Sequence, residues 1–305
     1  ANLRYVISGG TAVVEKTGER ADVDPDTGKP SSMNFMADAR EVSLISQARS
    51  AIMGHEQALR LPTREELEKI VAYESQVYMA QVHDGASGIL ATPGAPVGLG
   101  PLAMRDGKAG VHGDNASDPV FRSFATWASS KDSVRASIAR GADLFMNRKF
   151  AIRDTAYINT SSAGNSIQRT CATCHSAQMT GQDMSAGWVD VGTTNIQASA
   201  ERPAAIESSE LPVFKITCNK DAAPHPFLGR TIYTTDPGRA MISGKCADVG
   251  SIVMQQLRGL SARPPYFVNG SAKTLRDVVD FYERRYGMGL TEAEKTDLVN
   301  FLAAL

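Results

Sequence analysis

Hydrophobic positions in this chain recur mostly at helical spacing. Across residues 41–59, Val42, Ile45, Ala48, Ile52 and Leu59 share one side of a 3.6-residue repeat and predict an amphipathic helix. Thr63 is a candidate N-cap, with Glu66 as its capping-box partner, and opens a helix predicted through Leu67, Ile70, Val71, Val77 and Tyr78. The acidic run Glu65-Glu66 suits a solvated first turn, where it faces the positive end of the helix dipole. Asp132 is a similar cap for Val134, Ile138, Leu144 and Phe145. Two further helices are predicted over 274–286 and 291–305, the second capped by Thr291 with Glu294.

Polar and Gly/Pro-rich stretches separate these elements. The first forty residues signal only a turn at 24–28, read from Asp24-Pro25-Asp26-Thr27-Gly28. Residues 85–118 have little periodicity and read as a long loop, of a length that usually has a function or wraps a neighbouring domain. Residues 188–251 read as loops, with short strands expected at 213–216 and 231–233. No internal repeat or low-complexity tract is evident, and the expected class is mainly α. Gly141 and Phe145 on one predicted helix, with Leu298, Phe301 and Leu302 on the last, suggest a close crossing, because glycine lets two helix backbones approach. The alternative at Gly141 is a simple helix irregularity.

Composition narrows the classes. With 305 residues, 42% hydrophobic and 21% charged, the chain has the make-up of an ordinary globular protein of two domains, taken as 1–130 and 131–305. A formal net charge of -1 gives no reason to expect nucleic acid or an anionic membrane as partner. No uninterrupted apolar run approaches the roughly 20 residues of a bilayer span. Because it starts at Ala1 without a leader, the chain reads as a processed product. Ser-His-Asp constellations are not evident, and Gly9-Gly10 and Gly85-x-x-Gly88 are too short for a phosphate loop.

The chemistry concentrates in Cys171-Ala172-Thr173-Cys174-His175. Two thiols three positions apart on a helical turn can each form a thioether to a haem vinyl group, and the adjacent imidazole is then placed to ligate the iron. The expected cofactor is one haem c per chain. A zinc knuckle is the alternative, but no second Cys/His pair stands at zinc-ligand spacing; a thiol redox pair would not need the histidine. Cys218 and Cys246 remain, an even number suited to a disulfide or to two separate buried thiols. Disulfides persist in oxidising compartments, and the expected location is the periplasm. The Gly141 crossing beside such a motif resembles small cytochromes c.

Further motifs resemble the bacterial di-haem cytochrome c peroxidase and MauG-like family. They are Leu257-Arg258-Gly259-Leu260, Pro265-Tyr266-Phe267-Val268-Asn269-Gly270-Ser271, Thr274-Leu275 and Val278-Val279-Asp280-Phe281-Tyr282. Thr235-Asp236-Pro237-Gly238-Arg239 fits one of its branches. Asn34-Phe35-Met36-Ala37-Asp38-Ala39-Arg40-Glu41, then Ser43-Leu44 and Gln47-Ala48, resemble the stretch lining that family's peroxidatic haem. The resemblance implies a cytochrome c-like haem domain preceded by a partial or degenerate second one. It also implies cofactor contacts for Arg258 and an iron ligand at Tyr282; the alternative for Tyr282 is an ordinary packed aromatic.

Departures accompany the matches. The family has two haem motifs and this chain has one; the other would lie before Ala1. Ala37 stands where the family commonly has a tryptophan between the haems, and Gln57, beside His55 and Glu56, where it has a distal glutamate. An amide cannot take and return a proton as a carboxylate can. Val268 replaces a common histidine. The N-terminal region therefore reads either as a haemless remnant or as part of a split di-haem protein completed by a second haem-bearing chain.

Met241, Met254 and Met288 rival Tyr282 as sixth ligand, whereas Met179 and Met184 follow His175 too closely. His225 reads as a surface residue between Pro224 and Pro226, and His83 and His112 as structural or exposed; His55 would need a second haem to act as a ligand. The resemblance also admits calcium between the domains, although no acidic loop here specifies it. The expected function is electron transfer with a redox partner protein. Its alternatives are a peroxidase or MauG-like oxidoreductase and a haem subunit that docks on another enzyme.

Overall fold

Capping chemistry decides where the helices begin in the computed structural model of this protein. The structure describes residues 2–8, 11–17, 35–38, 40–41, 43–77, 80–93, 95, 100–105, 120–160, 164–175, 188–196 and 210–305. The turn at 24–28, Gly9-Gly10, and the positions of Tyr78, His112, Met179 and Met184 lie outside them.

In chain order come β1 (Asn2–Ser8), β2 (Thr11–Thr17), α1 (Leu44–Gly54), α2 (Arg64–Glu74), β3 (His83–Asp84), β4 (Gly88–Ile89), α3 (Gly100–Arg105) and α4 (Val120–Ser123). Next are α5 (Ser133–Asn147), β5 (Phe150–Ile152), β6 (Ile167–Arg169), α6 (Cys171–Cys174), β7 (Trp188–Val189), β8 (Phe214–Thr217) and β9 (Thr231–Thr234). The chain closes with α7 (Ala240–Ser243), β10 (Ile252–Val253), α8 (Leu275–Tyr286) and α9 (Glu292–Ala303). Each described sheet is a two-stranded antiparallel pair: β1–β2, β3–β4, β5–β6, β7–β10 and β8–β9.

Several elements differ from the sequence reading. Asn2 pairs with Thr17 and Ser8 with Thr11, a hairpin where only turn signals stood. α1 starts at its Ser43 cap, whose hydroxyl accepts from the Ser46 N–H at 3.0 Å, and stops at Gly54. Gln57 then takes φ 50, which ends the helix well before the fully exposed Leu59. α2 has the Thr63–Glu66 box, with the Thr63 N–H donating to Glu66 at 2.8 Å, but ends at Glu74, leaving Val77 outside and exposed. Arg60, then the Thr63 N–H, hold the Glu66 carboxyl down at about 2. Within 85–118, Asp84 accepts from the Ala86 and Ser87 N–H groups at 2.9 and 2.7 Å and turns β3 into β4, so part of that stretch is an ordered hairpin.

The main core gathers around α5, α8 and α9, with Phe124, Ile138, Phe145, Leu298 and Phe301 buried together. Asp132 caps α5 through the Val134 and Arg135 N–H groups, and both α8 and α9 open with capping boxes. At Gly141, α5 crosses α9 so closely that an added Cβ would sit 2.0 Å from the Asp297 carbonyl oxygen and 2.7 Å from Phe301 Cβ. The Asp297 side chain secures the same crossing: Ser137 donates to it at 2.5 Å and Arg140 grips it with two N–H groups at 2.8 Å. A smaller cluster of Ile45, Ala48, Leu67 and Val71 joins α1 to α2.

Cys218 and Cys246 are joined as a disulfide with Cα atoms 5.6 Å apart, beside buried Ile232 and Val249. His225, expected at the surface, is instead 1% exposed. The turn between the two prolines folds back so that His225 and Gly229 exchange both backbone hydrogen bonds, at 3.0 and 3.1 Å. Its Nδ1 accepts from the Phe227 and Leu228 N–H groups, which leaves the ring proton on Nε2, 3.1 Å from Asp190 Oδ2. Among the described residues no helix is long and apolar enough to cross a membrane.

Candidate functional site

A single turn of helix, α6, sets Cys171 and Cys174 on one side of the chain. The Thr170 N–H donates to Thr173 Oγ1 at 3.2 Å and opens that turn, and the His175 N–H closes it on the Cys171 carbonyl at 2.9 Å. All three chemical residues line a cavity of about 350 Å³. That size lies within the usual range for small-molecule sites.

The remaining wall comes from distant elements. α8 presents Leu275, Val279, Tyr282 and Tyr286, whose spacing of three to four residues puts them on one face. Phe145 of α5 and Leu298 and Leu302 of α9 extend the apolar surface next to the Gly141 crossing. Phe145 also packs on His175 with ring centroids 6.0 Å apart. Val189 and the β10 residues Ile252 and Val253 complete a lining that is mostly hydrophobic.

Tyr282 stacks on Tyr286 at 6.2 Å, and the Tyr286 hydroxyl shares a 2.7 Å hydrogen bond with Thr155. Buried Arg285 braces this end of α8 by donating to the carbonyls of Val191, Arg153 and Asp154 at 2.9–3.1 Å. Burial, then the proximity of Tyr286, Cys174 and Cys171, pushes the Tyr282 phenol above its ordinary range. Burial, then Cys174, pushes the Cys171 thiol up to about 12. A thiol–disulfide redox pair needs the opposite shift, toward thiolate. Among the described residues, no group of three or more His, Cys, Asp or Glu is arranged to hold a metal ion on its own.

The candidate residues divide by position. Cys171, Cys174, His175 and Tyr282 line the cavity together, as do Met254 and Met288. Met241 does not, being 66% exposed on α7. Arg258 is fully buried but is not in the lining, although Leu257 and Leu260 on either side of it are. His55, Glu56 and Gln57 are exposed and away from the cavity. Ala37 accepts from the Val253 N–H at 2.9 Å, and Asp38 accepts from Arg239 Nη1 at 3.0 Å, which seats the 35–41 segment behind β10. The Arg239 guanidinium lies 3.4 Å over the Trp188 ring in the same place.

Arg263, Arg285 and the Asp190–His225 pair were not singled out as functional by sequence reasoning: Arg263 bonds only carbonyls of its own loop, Arg285 bonds remote carbonyls, and the His225 partner is a carboxylate 35 positions away. Arg263 is the one formally charged side chain in the lining among the described residues. Nε donates to the Gly259 carbonyl at 3.4 Å, and Nη2 to the Gln256 and Arg258 carbonyls at 3.0 and 2.8 Å. Burial pulls this guanidinium below its ordinary range.

An apolar cavity with two thiols and an imidazole on one turn, and a phenol in the same lining, has the donor set of a covalently held haem. No family model matches the chain. A cytochrome-c peroxidase of Denitromonas iodatirespirans is 41% identical to it over 78 residues, covering 23% of this chain and 21% of that protein. The chain thus spans about a fifth of the length of the curated relative it matches, and over that stretch it is peroxidase-like in sequence.

Proposed function

We propose that this protein is a periplasmic c-type cytochrome that transfers electrons through one haem. In this reading residues 131–305 form a cytochrome c-like domain, and 1–130 a second, haemless region that packs against it. The observation that carries it is the gathering of Cys171, Cys174, His175 and Tyr282 in one apolar cavity. Cys171 and Cys174 would form the thioethers, and His175 and Tyr282 would be the residues that hold the iron. Bound haem supplies reversible one-electron chemistry at iron. The chain's own contribution is to exclude water with Phe145, Leu298 and Leu302, and to hold α8 in place through Arg285. Intact-mass analysis and pyridine haemochrome stoichiometry of the purified chain test the reading: one porphyrin per polypeptide is expected, and a bare polypeptide defeats it.

Tyr282→Phe is expected to keep the haem while altering the ferric absorption spectrum. A phenolate favours ferric iron, so its loss should raise the midpoint potential and shift the ferric/ferrous ratio at fixed potential toward ferrous. An unchanged spectrum and midpoint potential would remove Tyr282 as ligand and direct attention to Met254 and Met288.

The partial likeness to a cytochrome-c peroxidase favours a second reading, a peroxidase or MauG-like oxidoreductase acting with another haem. Hydrogen peroxide turnover with a reduced donor tests it, together with a count of haems in the intact particle.

A further inference from the structure

Arg263 stands at an apolar cavity without an opposite charge. No carboxylate among the described residues forms an ion pair with it, and its hydrogen bonds there run to main-chain carbonyls. Those three bonds use Nε and Nη2 and fix the plane of the guanidinium, and Nη1 has no protein partner among the described contacts. Carbonyl oxygens satisfy hydrogen bonds but do not neutralise charge. A partly buried cation is costly unless an anion joins it. The rest of the lining contributes no formal charge, so an anionic group on the occupant is the complement this site lacks.

We infer that Arg263 is the anion receptor of this cavity and pairs, through Nη1, with a carboxylate of the bound cofactor. Under the function proposed above, on which this inference rests, that carboxylate is a haem propionate. The assignment differs from the one the motif suggests: Arg258 lies buried outside the lining, while Arg263, five positions on, lies in it. The two are linked, because the Arg258 carbonyl is one of the acceptors that orient the Arg263 guanidinium. Arg263 would thus hold the cofactor's polar edge while the two thioethers hold its vinyl edge. A fixed positive charge there also favours the reduced form of the cofactor and keeps the paired carboxylate ionised.

The experiment is a spectroelectrochemical titration of the holoprotein and its Arg263→Gln variant, with haem content measured on both. Arg263→Gln is expected to keep its covalent haem, which is anchored elsewhere. Its ferric form should be favoured about tenfold more than in the wild type, equivalent to roughly 59 mV for one electron. Its potential should also fall more steeply with pH, because the released carboxylate now takes up a proton. Arg263→Lys, which keeps the charge, should move the equilibrium by much less. If the glutamine variant does not accumulate, Arg263→His reads the same quantity: its potential should fall between about pH 5 and 8 as the imidazole loses its charge. Haem-replete variants whose potential and pH profile superimpose on the wild type would overturn the inference and leave the haem assignment standing. A change confined to the salt dependence of electron exchange with a partner protein would overturn it too, by turning the guanidinium toward that partner. A wild-type chain that holds no haem would instead end the parent reading, and this one with it.

Discussion

Serine at both Cys171 and Cys174 is expected to abolish covalent haem attachment and, with it, the stable fold around the cavity. The first effect is chemical: hydroxyls form no thioethers. The second follows from volume. An apolar void costs about 24 cal/mol per Å³ when its walls cannot close. For a cavity of about 350 Å³ that sets an upper limit of about 8 kcal/mol. Relaxation of the walls reduces the figure, yet it is of the same order as the whole stability of an ordinary domain, about 5–15 kcal/mol. Near-UV circular dichroism and thermal unfolding should therefore show lost or weakened tertiary packing, while denaturing gels stained for haem show no pigment on the chain. Pigment that survives denaturation on the double serine variant would contradict the thioether assignment.

Gly141→Ala is expected to destabilise the protein by about 3 kcal/mol or more, the upper range for overpacking a core. A methyl at this position meets the Asp297 carbonyl oxygen at 2.0 Å, a main-chain atom that cannot rotate away, and Phe301 Cβ at 2.7 Å. α5 and α9 would have to separate, straining the Ser137 and Arg140 contacts to Asp297. Because Phe145, Leu298 and Leu302 belong to these helices and line the cavity, the midpoint potential of the holoprotein should move as well. Gly54→Ala is the control. It lies at the end of α1 with nothing within 4 Å of a new Cβ. It should be neutral, or stabilising by up to about 1 kcal/mol. Urea unfolding midpoints of the two variants make the comparison; equal midpoints would mean that the crossing tolerates a methyl.

Much of this fold was legible where the relevant physics acts over three or four residues. The Thr63–Glu66 and Thr291–Glu294 boxes and the Asp132 cap depend on neighbours in sequence. Helix ends were less legible. Gly54 and the left-handed Gln57 stop α1, although Leu59 continues the hydrophobic repeat, because periodicity carries no record of whether a partner surface exists to bury it. His225 was misread for a related reason. Two flanking prolines signal a rigid turn, but its direction depends on Asp190 and on the amides of Phe227 and Leu228.

The site divides along the same line. Cys171, Cys174 and His175 could be identified from spacing alone, since one helical turn fixes their separation whatever the rest of the chain does. Tyr282 entered through resemblance, and its place in the cavity depends on α8 packing beside α6. That Met254 and Met288 share this cavity and Met241 does not could not be read from three methionines in a row of letters. Nor could it be read that, of two arginines in one loop, Arg258 is enclosed by protein and Arg263 lines the cavity. Local hydrogen bonding and covalent reach are encoded in short stretches, so the sequence alone determined the Cys171–Cys174 turn and most helix starts. Burial and electrostatic pairing depend on segments brought together only by folding, and these the tertiary structure decided.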